Sequence, residues 1–295
     1  MMVGYTTYKD LPYTSSSCKR QAFDLYLPSA STTKPSSSSV SPPPLCVFIH
    51  GGAWRTESKE QWAESLMPHI VRSLGIPAAC LDYRLAPNDP HPAQILDVIS
   101  GLTRLTSTTP LPGIETSEHL LWDRQRLILL GHSAGAFMIA EVLLSPPSSM
   151  PSDSSSESFV VDPSLRRAIK GAIFLDGIYD IPDLIREYPD YVDFVEMAFG
   201  KDPQVWAKES PVKWEIPSEQ LGALRAKLLV LHSAQDELLS LVQPRLFVQA
   251  LEKLGIEQGK QLEVDYETIT GGHDEALKNN DSALLGTVKK WIARL

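Results

Sequence analysis

Residues 126–144, RLILLGHSAGAFMIAEVLL, constrain the fold more than any other stretch of the chain. The run RLILL lacks the apolar–polar alternation of a half-exposed strand, so it reads as a strand covered on both faces. It stops at Gly131, and an apolar helical pattern follows at once. So tight a turn leaves no room for side chains at its flanks, and glycines stand at 131 and 135 with Ser133 between them. The arrangement lifts one hydroxyl above a buried sheet and sets it at the start of a helix, where the dipole favours negative charge.

The surrounding chain supplies the rest of such a sheet. Strand-like runs at 21–27, 45–50, 77–82, 170–175, 227–232 and 261–267 alternate with helical patterns near 59–74, 92–105, 133–144, 243–254 and 281–294. That alternation predicts an α/β fold, a mostly parallel sheet flanked by helices. With 295 residues, 43 % of them hydrophobic and 21 % charged, one domain spanning 1–295 has core enough. Residues 181–222 break the rhythm: they carry no strand pattern but hold Tyr188, Tyr191, Phe194, Phe199, Trp206 and Trp214. They are expected to form a helical cap insertion of the kind that closes substrate pockets. The Ser/Pro-rich segments 29–44 and 145–158 have almost nothing to bury and are expected as flexible surface loops.

Placed between a strand and a helix, G-x-S-x-G is the nucleophile elbow of an α/β-hydrolase. A serine needs a base held by a third group, and that fold orders them as serine, acid, histidine. His50, His69, His91, His119 and His132 precede Ser133, which leaves His232 and His273. His232 ends a strand and comes before the best acid. His273 sits in the glycine-bearing loop TGGHDEAL before the last helix and is the expected base. Asp236, on the loop after the strand 227–232, is the expected acid, with Asp176 as runner-up; Asp180, Glu237 and Asp274 read as turn or solvated residues. HGGAW (50–54) follows an apolar strand and supplies the second half of an oxyanion hole. Gly51, Gly52 and Ala134 are the expected backbone donors, and His50 is expected to position the loop. Trp54 is expected either to pack the substrate's ring or to pack its own loop, while Arg55 and Arg84 are candidate carboxylate partners or structural ion pairs.

Other chemistries find no support. The charge balance of 27 basic against 36 acidic residues gives −9, with no basic run interleaved with aromatics, so neither nucleic acid nor an anionic membrane is an expected partner. No apolar run reaches transmembrane length, and MMVGYTTYKD lacks a leader pattern. Three widely spaced cysteines, Cys18, Cys46 and Cys80, suit a reduced cytoplasmic chain rather than a disulfide framework or a zinc site. No phosphate-binding, dinucleotide-binding or metalloprotease motif occurs, so no cofactor and no metal are expected. The expected partner is a small-molecule substrate; a homodimer stays open.

Together, HGGAW, DYRLAP (82–87), GHSAGA, DELL and GGHD resemble the arylesterase-like branch of the α/β-hydrolases, and more narrowly the kynurenine formamidases of fungi. That family's HGG-any-Trp signature is matched at His50 to Trp54. Hormone-sensitive-lipase-type esterases more often have a third glycine and an aspartate before the nucleophile, where this chain has Ala53 and His132. The resemblance spans about residues 20–294, interrupted by the two Ser/Pro-rich segments. It implies Ser133, Asp236 and His273 as the triad, donors at the HGG turn and Ala134, and hydrolysis of N-formyl-L-kynurenine to L-kynurenine and formate. A broad short-chain carboxylesterase would share every one of these residues. A non-catalytic binding protein on this fold would typically have lost a triad member, and none is lost here.

Overall fold

Eight strands form one sheet in the computed structural model, which describes residues 4–29, 41–114, 121–145, 159–216, 218–279 and 281–295. They are β1 (Tyr5–Pro12), β2 (Ala22–Pro28), β3 (Leu45–Ile49), β4 (Ala78–Leu81), β5 (Leu127–His132), β6 (Ile169–Leu175), β7 (Lys227–Leu231) and β8 (Leu262–Asp265). The spatial order is β1-β2-β4-β3-β5-β6-β7-β8. β1 and β2 pair antiparallel with their neighbours, and the six strands from β4 to β8 run parallel. The α/β-hydrolase class expected from the elbow is the class observed.

β3 and β5 are buried at every position because helices cover both faces. Leu45, Val47, Ile49, Leu127 and Leu129 point to one side, where the helices Ala93–Thr106, Ala134–Leu144 and Val242–Lys253 pack. Cys46, Phe48, Ile128 and Leu130 point to the other, against Met67–Leu74 and Ser282–Ile292. Cys46 and Cys80 are thus small hydrophobes of the core, unpaired like Cys18.

β1 lies outside the strands expected from the sequence. YTTYKDLP buries only one of its eight residues and slips register between Tyr8 and Leu11, so it carries no clean alternation. Its pairing along β2 defines it. Such a charged, irregular edge also resists pairing with a second chain.

Between β6 and β7 the chain forms helices at Ile181–Glu187, Val192–Phe199, Pro203–Glu209 and Ser218–Ala223. Asp180 and Asp202 start two of them by accepting a backbone N–H, each with a proline in the first turn, Pro182 and Pro203. Of the two Ser/Pro-rich segments, 30–40 and 146–158 lie outside the described residues. Among the described residues no helix is long and apolar enough to cross a membrane.

Candidate active site

Ser133 stands between β5 and the helix Ala134–Leu144 with φ 53° and ψ −118°, a conformation costly for any residue with a Cβ. The flanking glycines make it possible. A Cβ on Gly131 would lie 2.6 Å from the Gly135 carbonyl carbon, and one on Gly135 would lie 2.1 Å from the Ile49 oxygen. Ser133 N–H donates to the Leu175 carbonyl (3.0 Å), pinning the turn to β6. Ala134 opens the helix, so its N–H has no partner within the helical ladder.

The HGGAW turn lies directly against this elbow. A Cβ on Gly51 would be 2.9 Å from the Ser133 Cβ, so only glycine lets the two backbones approach so closely. Gly52, Ala53 and Trp54 all have positive φ (82°, 49° and 60°), coiling the loop tightly over the Gly52 carbonyl, which accepts from Arg55 N–H and Thr56 N–H. DYRLAP braces it: Tyr83 Oη donates to the Gly51 carbonyl (2.6 Å) while its ring stacks on His50 at 4.2 Å. His50 Nε2 donates to Asp82 (3.0 Å), which also pairs with Arg20.

The remaining residues come from the loops after β7 and β8. His273 Nδ1 donates to Asp236 Oδ2 at 2.7 Å. A carboxylate can only accept, so Nε2 of the neutral ring is left as the basic nitrogen. Asp236 Oδ1 accepts from the Leu238 and Leu239 N–H groups (2.8 and 2.9 Å). Burial would raise the Asp236 pKa, but the hydrogen bond and charge of His273, with these two amides, hold it below the ordinary carboxylate value. Burial alone would lower the His273 pKa; the bond and charge of Asp236, joined by Asp176 and Asp274, outweigh it, and the imidazole lies above its ordinary value. Ser133 and His273 line one pocket of about 490 Å³.

Four tethers hold the His273 loop, and two come from residues that sequence reasoning set aside. Ser233 Oγ donates to the Gly271 carbonyl (2.6 Å), and Gln235 Oε1 accepts from Gly271 N–H (2.8 Å). Glu237, expected as a solvated or turn residue, accepts the His273 backbone N–H at 3.0 Å. His132, dismissed as a base by chain order, donates from Nε2 to the His273 carbonyl at 3.0 Å. Burial first, then the neighbouring His273, push the His132 pKa down to about 3, which keeps this tether neutral. Their signal is adjacency in sequence to Ser133 and Asp236, but the partner lies over a hundred residues away in one case.

Trp54 does not line the pocket. Its ring is buried among Phe137, Phe199 and Phe194 at centroid distances of 5.1, 4.9 and 6.4 Å, which is the loop-packing role. The aromatic wall of the pocket consists of Tyr191 and Phe194. Arg84 forms a double hydrogen bond with Asp97 (2.8 and 2.9 Å) and a longer one with Asp89 (3.3 Å), so it is structural. Arg55 lines the pocket.

Histidine and carboxylate atoms gather within 4.8 Å of one another in three groups among the described residues. Two, His132–His273–Asp274 and Asp176–His232–Asp236, belong to the site just described. The third, His91–Glu141–Glu209, joins the helix Pro203–Glu209 to the helix behind the elbow. There neither oxygen of buried Glu141 accepts a hydrogen bond from the described residues, and burial pushes its pKa well above the ordinary value. That favours an uncharged carboxyl group.

A family model described as an α/β-hydrolase fold matches residues 46–160. The kynurenine formamidase of Meyerozyma guilliermondii is 30 % identical over 249 residues, covering 82 % of this chain and 82 % of the yeast protein. That of Saccharomyces cerevisiae is 27 % identical over 251 residues, covering 83 % and 86 %. Among solved structures, a truncated carbohydrate esterase from gut microbiota superposes with a TM-score of 0.72 at 15 % identity, covering 99 % of this chain and 96 % of that one. At that identity the likeness concerns the fold alone.

Proposed function

The chain belongs to the kynurenine formamidase family and is a hydrolase, and we propose that it cleaves N-formyl-L-kynurenine to L-kynurenine and formate through Ser133, Asp236 and His273. The observation that carries the reading is the Asp236–His273 hydrogen bond, with His273 and Ser133 opening on the same pocket.

His273 Nε2 takes the proton of Ser133 as its oxygen attacks the formyl carbon. The developing oxyanion is stabilised by backbone N–H groups of the HGG turn and Ala134, donors fixed in place before the reaction begins. The imidazolium then protonates the aniline nitrogen as the C–N bond breaks, leaving a formyl ester on Ser133. Water, deprotonated by the same imidazole, attacks that ester and releases formate. Asp236 stays ionised throughout, holding the ring and balancing its charge. Tyr191 and Phe194 offer a surface for the aryl ring. Three unpaired cysteines support a reducing compartment such as the cytoplasm.

The test is kcat/KM on N-formyl-L-kynurenine beside nitrophenyl formate, acetate and butyrate. Each added methylene that clashes should cost about 10–200-fold, so rates fall steeply from formyl to butyryl. Butyrate hydrolysed faster than N-formyl-L-kynurenine would make the enzyme a general carboxylesterase.

A further inference from the structure

The chemistry above uses Ser133 and His273 and leaves three charges lining the same pocket unexplained. Of the ionised side chains lining it, Asp274 pairs with Lys278 (2.6 Å), and Glu57 accepts from the Trp62 indole (3.1 Å). Arg55, Asp190 and Asp193 have no ion pair among the described residues. The guanidinium of Arg55 has only a 3.9 Å contact with the Met197 sulfur, and it lies 5.4 Å from the centroid of the Phe194 ring. Tyr191 and Phe194, 5.1 Å apart, come from the same cap segment as the two aspartates.

A lone guanidinium and two lone carboxylates beside two aromatic rings complement an aryl group with a zwitterionic tail. Taking the substrate class of the proposed function as its premise, we infer that Arg55, Asp190 and Asp193 form the subsite that reads the α-amino acid end. Arg55 offers its planar pair of donors to the α-carboxylate. Asp190 and Asp193 accept from the α-ammonium. The aryl ring lies between this rim and Ser133, along Phe194. Arg55 also sits one residue beyond the HGGAW turn, so the loop that supplies oxyanion donors supplies the tail's anchor. All three groups are exposed to solvent, so each contact is worth a modest factor and selectivity comes from their combination.

Three formanilides separate the contributions: N-formyl-L-kynurenine, N-formylkynuramine (ammonium without carboxylate) and 2-formamidoacetophenone (neither). Arg55→Met keeps the apolar stem and removes the charge. It should lower the kcat/KM ratio of N-formyl-L-kynurenine to N-formylkynuramine by about 10-fold, chiefly through KM. Asp190→Asn with Asp193→Asn should lower the ratio of N-formylkynuramine to 2-formamidoacetophenone by a similar factor. A second readout needs no formamide turnover: inhibition of nitrophenyl acetate hydrolysis by L-kynurenine against 2-aminoacetophenone. The wild type should bind L-kynurenine more tightly, and Arg55→Met should erase about 10-fold of that preference. Equal losses on all substrates and inhibitors would overturn the subsite while leaving the formamidase reading intact. A wild type inert to formamides but with the expected inhibitor preference would overturn the reading and keep the subsite.

Discussion

Asp176 and Asp236 follow adjacent strands of the same sheet, and both carboxylates are buried within reach of His232. They end in opposite electrostatic states. Asp236 accepts three hydrogen bonds, two from backbone amides and one from His273, and is held ionised. Asp176 accepts one, from Ser233 N–H at 2.8 Å, and burial pushes its pKa up to about 7. Its other neighbour, His232 Nδ1 at 3.7 Å, has no hydrogen-bond partner among the described residues. His232 donates through Nε2 to the Leu239 carbonyl (2.8 Å), so Nδ1 can only accept, and it suits a protonated Asp176. Under the same burial, then, one carboxylate is held as an anion and the other lies near its midpoint at neutral pH. Donors decide which, not depth.

The largest expected effect sets the floor for the comparison. Ser133→Ala should fold and lose on the order of 10⁴-fold or more in kcat, as loss of a triad nucleophile does. A variant keeping a tenth of the activity would place the chemistry elsewhere. Next, Asp236→Asn should cost about 10³–10⁴-fold, because an amide favours the wrong imidazole tautomer. Asp176→Asn should cost less than about 10-fold, since Asp176 reaches His273 only through its charge. The reverse ranking would transfer the acid's role to Asp176.

The pH profile sharpens the same contrast. His273 must be neutral to act as base, and Asp236 chiefly offsets the lowering effect of burial to leave its pKa above the ordinary value. The acid limb of kcat/KM should therefore rise through a pKa above about 6.5. In Asp236→Asn the residual activity should show that limb moved to lower pH. An unmoved limb would mean that Asp236 does not charge-balance the base.

The smallest effect concerns stability. Because the folded pKa of Asp176, about 7, lies above its unfolded value, the stability it contributes is complete below the unfolded pKa and is lost as pH rises towards and through 7. Asp176→Asn keeps an acceptor for Ser233 N–H and removes the titration. Its Tm relative to wild type should be several degrees higher at pH 8 than at pH 5. A constant offset between the two proteins would show that Asp176 does not titrate in that range.

How much could be read in advance varies with the range of the interaction. The elbow was legible within five residues because a Cβ at 131 or 135 cannot coexist with the turn. The parallel sheet was legible because strands buried on both faces lose their alternation. The tethers from Glu237 and His132 were not legible, because each consists of one hydrogen bond to the backbone of residue 273, which no local pattern records. Trp54 and Arg55 stand side by side in one motif. One is buried among phenylalanine rings and the other lines the pocket, a difference set by packing partners remote in sequence.

By itself, then, the sequence determined the fold class, the position of the serine and the order of its partners, since each depends on steric rules that act over a few residues or on the direction of the chain. Only the tertiary structure decided which aspartate meets the histidine, which arginine is spent on a structural ion pair, and which rings line the pocket. Those outcomes depend on distances between side chains remote in sequence and on the number of donors each buried charge finds there, and neither exists until the sheet has assembled.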